Sequence, residues 1–134
     1  MAGDEISKRI GRLGEDFAAR WLEYRGCEIL ERNFRTKYGE VDIIARSEKH
    51  LMFIEVKTRS NDKFGQPREA VTYYKQKRIV YAAEEYIKAN SYDRNLRFDV
   101  IEVYFASRYD SRPEKMTHIK SAFSVTDDGH LFTW

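Results

Sequence analysis

The sequence predicts an α/β fold, a mixed β-sheet with flanking helices in the order α-β-β-β-α-β-β. Three observations predict it. Apolar residues recur at helical spacing near the start, strand-like runs with short polar turns follow, and a second helical pattern separates these from further strand-like segments. At 134 residues the chain has the length of one domain, able to bury about two-thirds of its unfolded surface. A core over residues 7–123 and a tail over 124–134 are expected.

The first helix is predicted over residues 7–25. Ile10, Leu13, Phe17, Trp21 and Leu22 fall on one stripe, and Gly26 stands where a helix stops. Residues 28–34 read as a strand, Lys37-Tyr38-Gly39 as a turn, and residues 40–46, rich in β-branched side chains, as a second strand. Ser47-Glu48-Lys49-His50 reverses the chain. Residues 51–59 then alternate, with Leu51, Phe53, Glu55, Lys57 and Arg59 on one face and Met52, Ile54, Val56 and Thr58 on the other. Residues 60–68, with Gly65 and Pro67, read as a loop. Thr72 is placed to cap a helix running through Gln76, Ile79, Ala83 and Ile87 to Ala89. Residues 96–104 are a further strand and 118–123 another. Beyond Val125 the sequence carries no interpretable signal.

Composition narrows the function. With 42% hydrophobic and 34% charged residues, the chain matches neither a membrane protein nor a disordered one. Apolar runs such as residues 51–54 are far shorter than the ~20 residues needed to span a bilayer, and the first five residues do not resemble a secretory signal. A cytoplasmic location is expected, with no membrane partner. Cys27 is the only cysteine, which excludes an internal disulfide and any multi-cysteine metal site. His50, His118 and His130 stand far apart without ligand spacing, so zinc is not expected.

The net charge is only +2, but the segment from Lys57 to Arg78 carries seven basic residues against two acidic ones. A solvated surface explains most such runs, and a footprint for a polyanion competes with it. On the second view, Arg59, Lys63, Arg68, Lys75, Lys77 and Arg78 are the candidate nucleic-acid contacts.

The candidate chemistry lies on the hairpin. If the turn is a two-residue loop at Glu48-Lys49, Ser47 pairs with His50, and Asp42 falls opposite Glu55, Glu40 opposite Lys57 and Ile44 opposite Phe53. Directly opposed carboxylates repel, so such a pair calls for a cation or a proton. Hard divalent ions such as Mg²⁺ bind through one or two carboxylates, with substrate phosphate and water completing the shell. Lys57 would lie on the same side, beside an attacking water or a scissile phosphate. A Glu-x-Lys on a strand more commonly marks a solvent-facing ion pair. Here the apolar Leu51 and Phe53 on the same face, the opposed Asp42 and the adjoining basic run favour the site. Glu15, beside the apolar stripe of the first helix, is a candidate outer ligand, or else borders the core. Gln76, in the first turn or so of the second helix, is either a phosphate donor or an ordinary exposed glutamine.

Four motifs carry a resemblance: Gly11-Arg12-Leu13-Gly14-Glu15, Gly39-Glu40-Val41-Asp42-Ile43-Ile44-Ala45, Phe53-Ile54-Glu55-Val56-Lys57-Thr58-Arg59 and Lys75-Gln76-Lys77-Arg78-Ile79. In this order they closely resemble the YraN-type bacterial family over residues 11–123. That family resembles the PD-(D/E)XK, restriction-endonuclease-like nucleases and the archaeal Holliday junction resolvases. The resemblance implies a restriction-endonuclease-like core. It also implies Mg²⁺ or Mn²⁺ held by Asp42, Glu55 and the Val56 carbonyl, Lys57 at the water, and Glu15 and Gln76 in support. Val41 stands where the superfamily name has proline. The expected function is a metal-dependent endonuclease acting on DNA, with branched or damaged DNA as candidate substrates and repair or recombination as the setting. The alternative is a non-catalytic nucleic-acid-binding module. Because paired cuts in a junction call for a symmetric assembly, a homodimer is also among the expectations.

Overall fold

The computed structural model describes residues 3–61, 71–92, 94–125 and 131–133. Helix α1 (Gly3–Tyr24) begins four residues earlier than its apolar stripe suggests. It ends at Gly26, whose φ of 87° suits glycine. There the Gly26 N–H donates to the Glu23 carbonyl at 3.0 Å, and the Cys27 N–H to the Leu22 carbonyl at 2.9 Å. Strands β1 (Glu28–Arg35), β2 (Glu40–Arg46) and β3 (His50–Ser60) follow, then α2 (Tyr73–Ala89), β4 (Asn95–Phe105), β5 (Lys115–Val125) and β6 (Leu131–Thr133). The order α-β-β-β-α-β-β is the predicted one. The short β6 adds a strand in the segment that carried no signal, and at three residues it is too brief to show any period.

The strands form one sheet in the order β1-β2-β3-β4-β5-β6. Neighbours are antiparallel except β3 and β4, which run parallel and are joined through α2. A parallel pair needs such a crossover. The hairpin takes the expected register, Ile43 with Ile54, Ile44 with Phe53, Ala45 with Met52 and Arg46 with Leu51. Its turn is closed by the Ser47 N–H donating to the His50 carbonyl at 2.9 Å, and by the His50 N–H donating to Ser47 Oγ at 3.1 Å. The ladder stops at Ile43 and Ile54. The expected Glu40–Lys57 pairing therefore does not form; Glu40 faces Arg35 of β1, with an ion pair at 3.6 Å.

Alternation along β3 divides the core in two. Leu51 and Phe53 join Ile44, Ile79, Ala83, Tyr86 and Phe98 beneath α2. Met52 and Ile54 join Ile10, Ala18, Leu22, Ile43 and Val103 beneath α1. Two glycines of the recognised motifs set how closely the helices approach. A Cβ on Gly14 would run into the Thr58 side chain of β3, and one on Gly39 into the Arg78 carbonyl of α2. Close approach at Gly14 brings the adjoining Glu15 to the sheet.

A buried polar cluster lies within the sheet. Asp99 of β4 is fully buried, beside an irregularity in the β4–β5 ladder between Phe98 and Val100. Arg97 donates to both its oxygens, His118 Nε2 lies 2.8 Å from Oδ2, and the Ser121 N–H donates to Oδ1 at 3.0 Å. Ser121 has a φ of 52°, and the left-handed turn accompanies its amide's bond to the carboxylate. Burial alone would raise the Asp99 carboxyl. The donors from His118, Arg97 and Ser121 outweigh it and hold the group below its ordinary value.

Candidate functional site: a cleft with paired carboxylates

Asp42 lies one residue beyond the last β2–β3 ladder pair, and its Oδ2 accepts the Val56 N–H at 2.8 Å. A side chain thus takes up a strand amide where the two strands stop pairing. Glu55 is 7% exposed, and its Oε1 lies 3.1 Å from the Lys75 ammonium. Lys75 comes from the first turn of α2, where Thr72 Oγ1 caps the helix by accepting the Lys75 N–H itself at 3.1 Å. The cap therefore also fixes where the lysine side chain starts.

Glu15 reaches the same place from α1. Its Oε1 accepts from Arg32 at 3.0 and 3.2 Å and from Asn33 Nδ2 at 2.9 Å, while Arg32 also donates to Asp16 at 2.7 Å. Asn33 takes a φ of 53° inside β1, a left-handed conformation that asparagine tolerates better than most residues. Asp42, Glu55, Val56, Glu15 and Lys75 together line a cleft of about 760 Å³. Its wall also carries Lys8, Arg9 and Arg12 of α1 and Arg32 of β1.

The electrostatics of the cleft are unbalanced. Burial pushes the Asp42 carboxyl up to about 7; the charge of Glu55 adds to this, and the Val56 N–H only partly offsets it. Burial would lower Lys75, but its contact with Glu55 outweighs this and raises it. Among the described residues no group of three or more His, Cys, Asp and Glu gathers at metal-ligating spacing. A magnesium or manganese site asks for less, since one or two carboxylates with a carbonyl, water and phosphate satisfy it.

The structure thus brings Asp42, Glu55, Val56 and Glu15 together and sets other predicted residues apart. Lys57 is partly buried on β3, paired in register with Glu102 of β4, and is not part of the cleft lining. Gln76 is not an exposed glutamine. It is fully buried, its Nε2 donates to the Val71 carbonyl at 2.9 Å, and its Oε1 meets no hydrogen-bond partner among the described residues. Arg59 is turned inward, with its Nε 3.3 Å from the buried Glu102 carboxylate. Lys77 and Arg78 stack over Tyr73 and Tyr74 at the start of α2. Lys63 and Arg68 lie outside the described residues. The α1 cations escaped the sequence reading because three basic residues on a helix resemble an ordinary solvated face. Their one signal was position, on the two turns before Glu15.

Fold and cleft together define a mixed α/β protein with a carboxylate pair where two strands of its sheet part. The chain belongs to the family described as Uncharacterised protein family UPF0102, whose profile matches residues 14–103. It is 46% identical over 122 residues to a UPF0102 protein of Clostridium perfringens (strain SM101 / Type A), covering 90% of this chain and 98% of that one. A relative from Caldanaerobacter subterraneus subsp. tengcongensis is 43% identical over 122 residues, covering 87% and 95%. One from Clostridioides difficile (strain 630) is 44% identical over 118 residues, covering 87% and 98%. Among the described residues no helix is long and apolar enough to cross a membrane.

Proposed function

We propose that this chain is a metal-dependent endonuclease that hydrolyses DNA phosphodiester bonds, with branched or damaged DNA among its substrates. The observation that carries the reading is the pairing of partly buried Asp42 with buried Glu55 in a cleft walled by basic side chains. A pure binding surface for phosphate gains nothing from carboxylates that repel it. Asp42, Glu55 and the Val56 carbonyl would hold Mg²⁺ or Mn²⁺, and their hard oxygen donors and unbalanced charge fit that ion. When bound, it supplies Lewis-acid stabilisation of the charge that develops at the scissile phosphate.

The chain's own residues divide the remaining work. Glu15 holds Arg32 against the cleft wall, and Arg12, exposed on α1, offers a guanidinium to the DNA backbone. Lys57 stands one pleat beyond Glu55, outside the cleft lining; its place on the same face of β3 and the family resemblance support a role at the attacking water. Lys57→Ala should then retain metal and DNA affinity while losing turnover, and equal activity in that variant would remove the role.

The test is a cleavage assay on linear, single-stranded and branched DNA with Mg²⁺ or Mn²⁺, comparing the natural chain with Asp42→Asn and Glu55→Gln. Metal-dependent cutting that both variants lose is the expected result. DNA binding with no cutting under any condition would support a non-catalytic nucleic-acid-binding module instead.

A further inference from the structure

We propose that Lys75 is a built-in counter-ion for Glu55 that gives way when a divalent cation is bound and then turns to the phosphate of the substrate. The inference rests on the metal-site reading above and deepens it. Glu55 is buried, and leaving a buried carboxylate uncompensated is costly. The Lys75 ammonium meets its Oε1 at 3.1 Å, while the lysine side chain as a whole is 46% exposed. Lys75 is thus anchored at its backbone on α2, and its half-exposed side chain gives the ammonium room to leave the carboxylate.

Charge balance gives the direction of the exchange. Asp42 and Glu55 carry two negative charges when ionised, and Lys75 answers only one of them. A divalent ion would answer both, and Glu55 Oε1 would serve as its donor in place of the lysine contact. The displaced ammonium remains in the cleft that it lines, at the N-terminal turn of α2, where the helix dipole favours an anion. By its place in the basic run Lys75 is a candidate DNA contact. The structure puts it on the carboxylate, and the exchange gives it both partners in succession.

Calorimetric titration with Mn²⁺ alone, at one pH and one salt concentration, tests the first half. Lys75→Met and Lys75→Gln should each bind Mn²⁺ about fivefold more tightly than the natural chain, the scale set by losing one half-exposed ion pair. Lys77→Met, with the same change of charge on the same turn but no contact to Glu55, should not. Equal or weaker Mn²⁺ affinity in both Lys75 variants would overturn the counter-ion role while leaving the metal site standing. Absence of Mn²⁺ uptake by any of the proteins would overturn the metal site itself, and the exchange with it.

Fluorescence anisotropy with a short DNA duplex tests the second half. Mn²⁺ should strengthen duplex binding by a larger factor in the natural chain than in Lys75→Met. An identical factor would show that the released lysine does not meet phosphate.

Discussion

Asp42 and Asp99 are the same residue type on strands of one sheet, the first partly and the second fully buried, and they end with opposite character. Asp99 meets a guanidinium, an imidazole and a backbone amide, which together overcome its burial and keep it ionised. Burial raises Asp42, the facing Glu55 carboxylate adds to this and a single amide opposes it, so its carboxyl rises to about 7. The difference lies in how completely the neighbouring strands satisfy each group. Around Asp99, β4 and β5 carry the donors needed to close the cluster, which marks it as part of the structure. Around Asp42 the donors run out, and the imbalance is what a bound cation would relieve.

The largest expected effect comes from breaking the satisfied member of this comparison. Asp99→Asn should cost about 3–5 kcal/mol, because it leaves Arg97 partly buried with no anion beside it. Asp42→Asn should cost nothing in metal-free buffer. Denaturant unfolding of the two variants side by side measures both; similar losses would erase the distinction.

Next comes the dependence on pH. A carboxyl raised from 3.8 to about 7 binds more protons folded than unfolded between those values. Metal-free stability should therefore fall as pH rises through that window, by at most about 4 kcal/mol. Asp99 acts in the other direction, since a depressed carboxyl contributes stability above its unfolded value and loses it as pH falls through the folded one. Denaturation midpoints from pH 4 to 8 should show the decline in the natural chain and its absence in Asp42→Asn. A decline of equal size in the variant would assign the titration to another group.

The smallest effect is on the cleft's outer wall. Arg12→Glu should weaken binding to linear and branched DNA in parallel and reduce the slope of log affinity against log salt by about one. Lys75→Glu combined with Lys77→Glu, compared in the presence of Mn²⁺, should weaken binding likewise and reduce the slope by about two. Anisotropy at several salt concentrations would show it, and an unchanged slope in both proteins would place DNA away from this cleft.

Much of this was legible beforehand, and the rest was hidden for physical reasons. The hairpin register followed from the two-residue turn at Glu48-Lys49, which brought Asp42 and Glu55 together from residues 13 apart in the sequence. The Lys75–Glu55 contact depends on how α2 seats against the sheet, and no local period reports it. Gln76 stands among basic residues that suggest an exposed turn, whereas its own side chain is buried. The Asp99 cluster did leave a trace that was not used. An Arg and an Asp two residues apart among the apolar Leu96, Phe98, Val100 and Ile101 of β4 are a sign of a buried, paired carboxylate.

The most direct measurement of the central claim is the melting temperature of the natural chain and of Asp42→Asn near pH 8, each in chelator and in excess Mn²⁺. Near pH 8 Asp42 in the natural chain is largely ionised and repels Glu55. The variant should melt no lower than the natural chain in chelator, and Mn²⁺ should raise the natural chain alone. A lower melting temperature for the variant in chelator, or an equal rise with Mn²⁺ in both proteins, would contradict the reading of Asp42 as a group held out of balance for a metal ion.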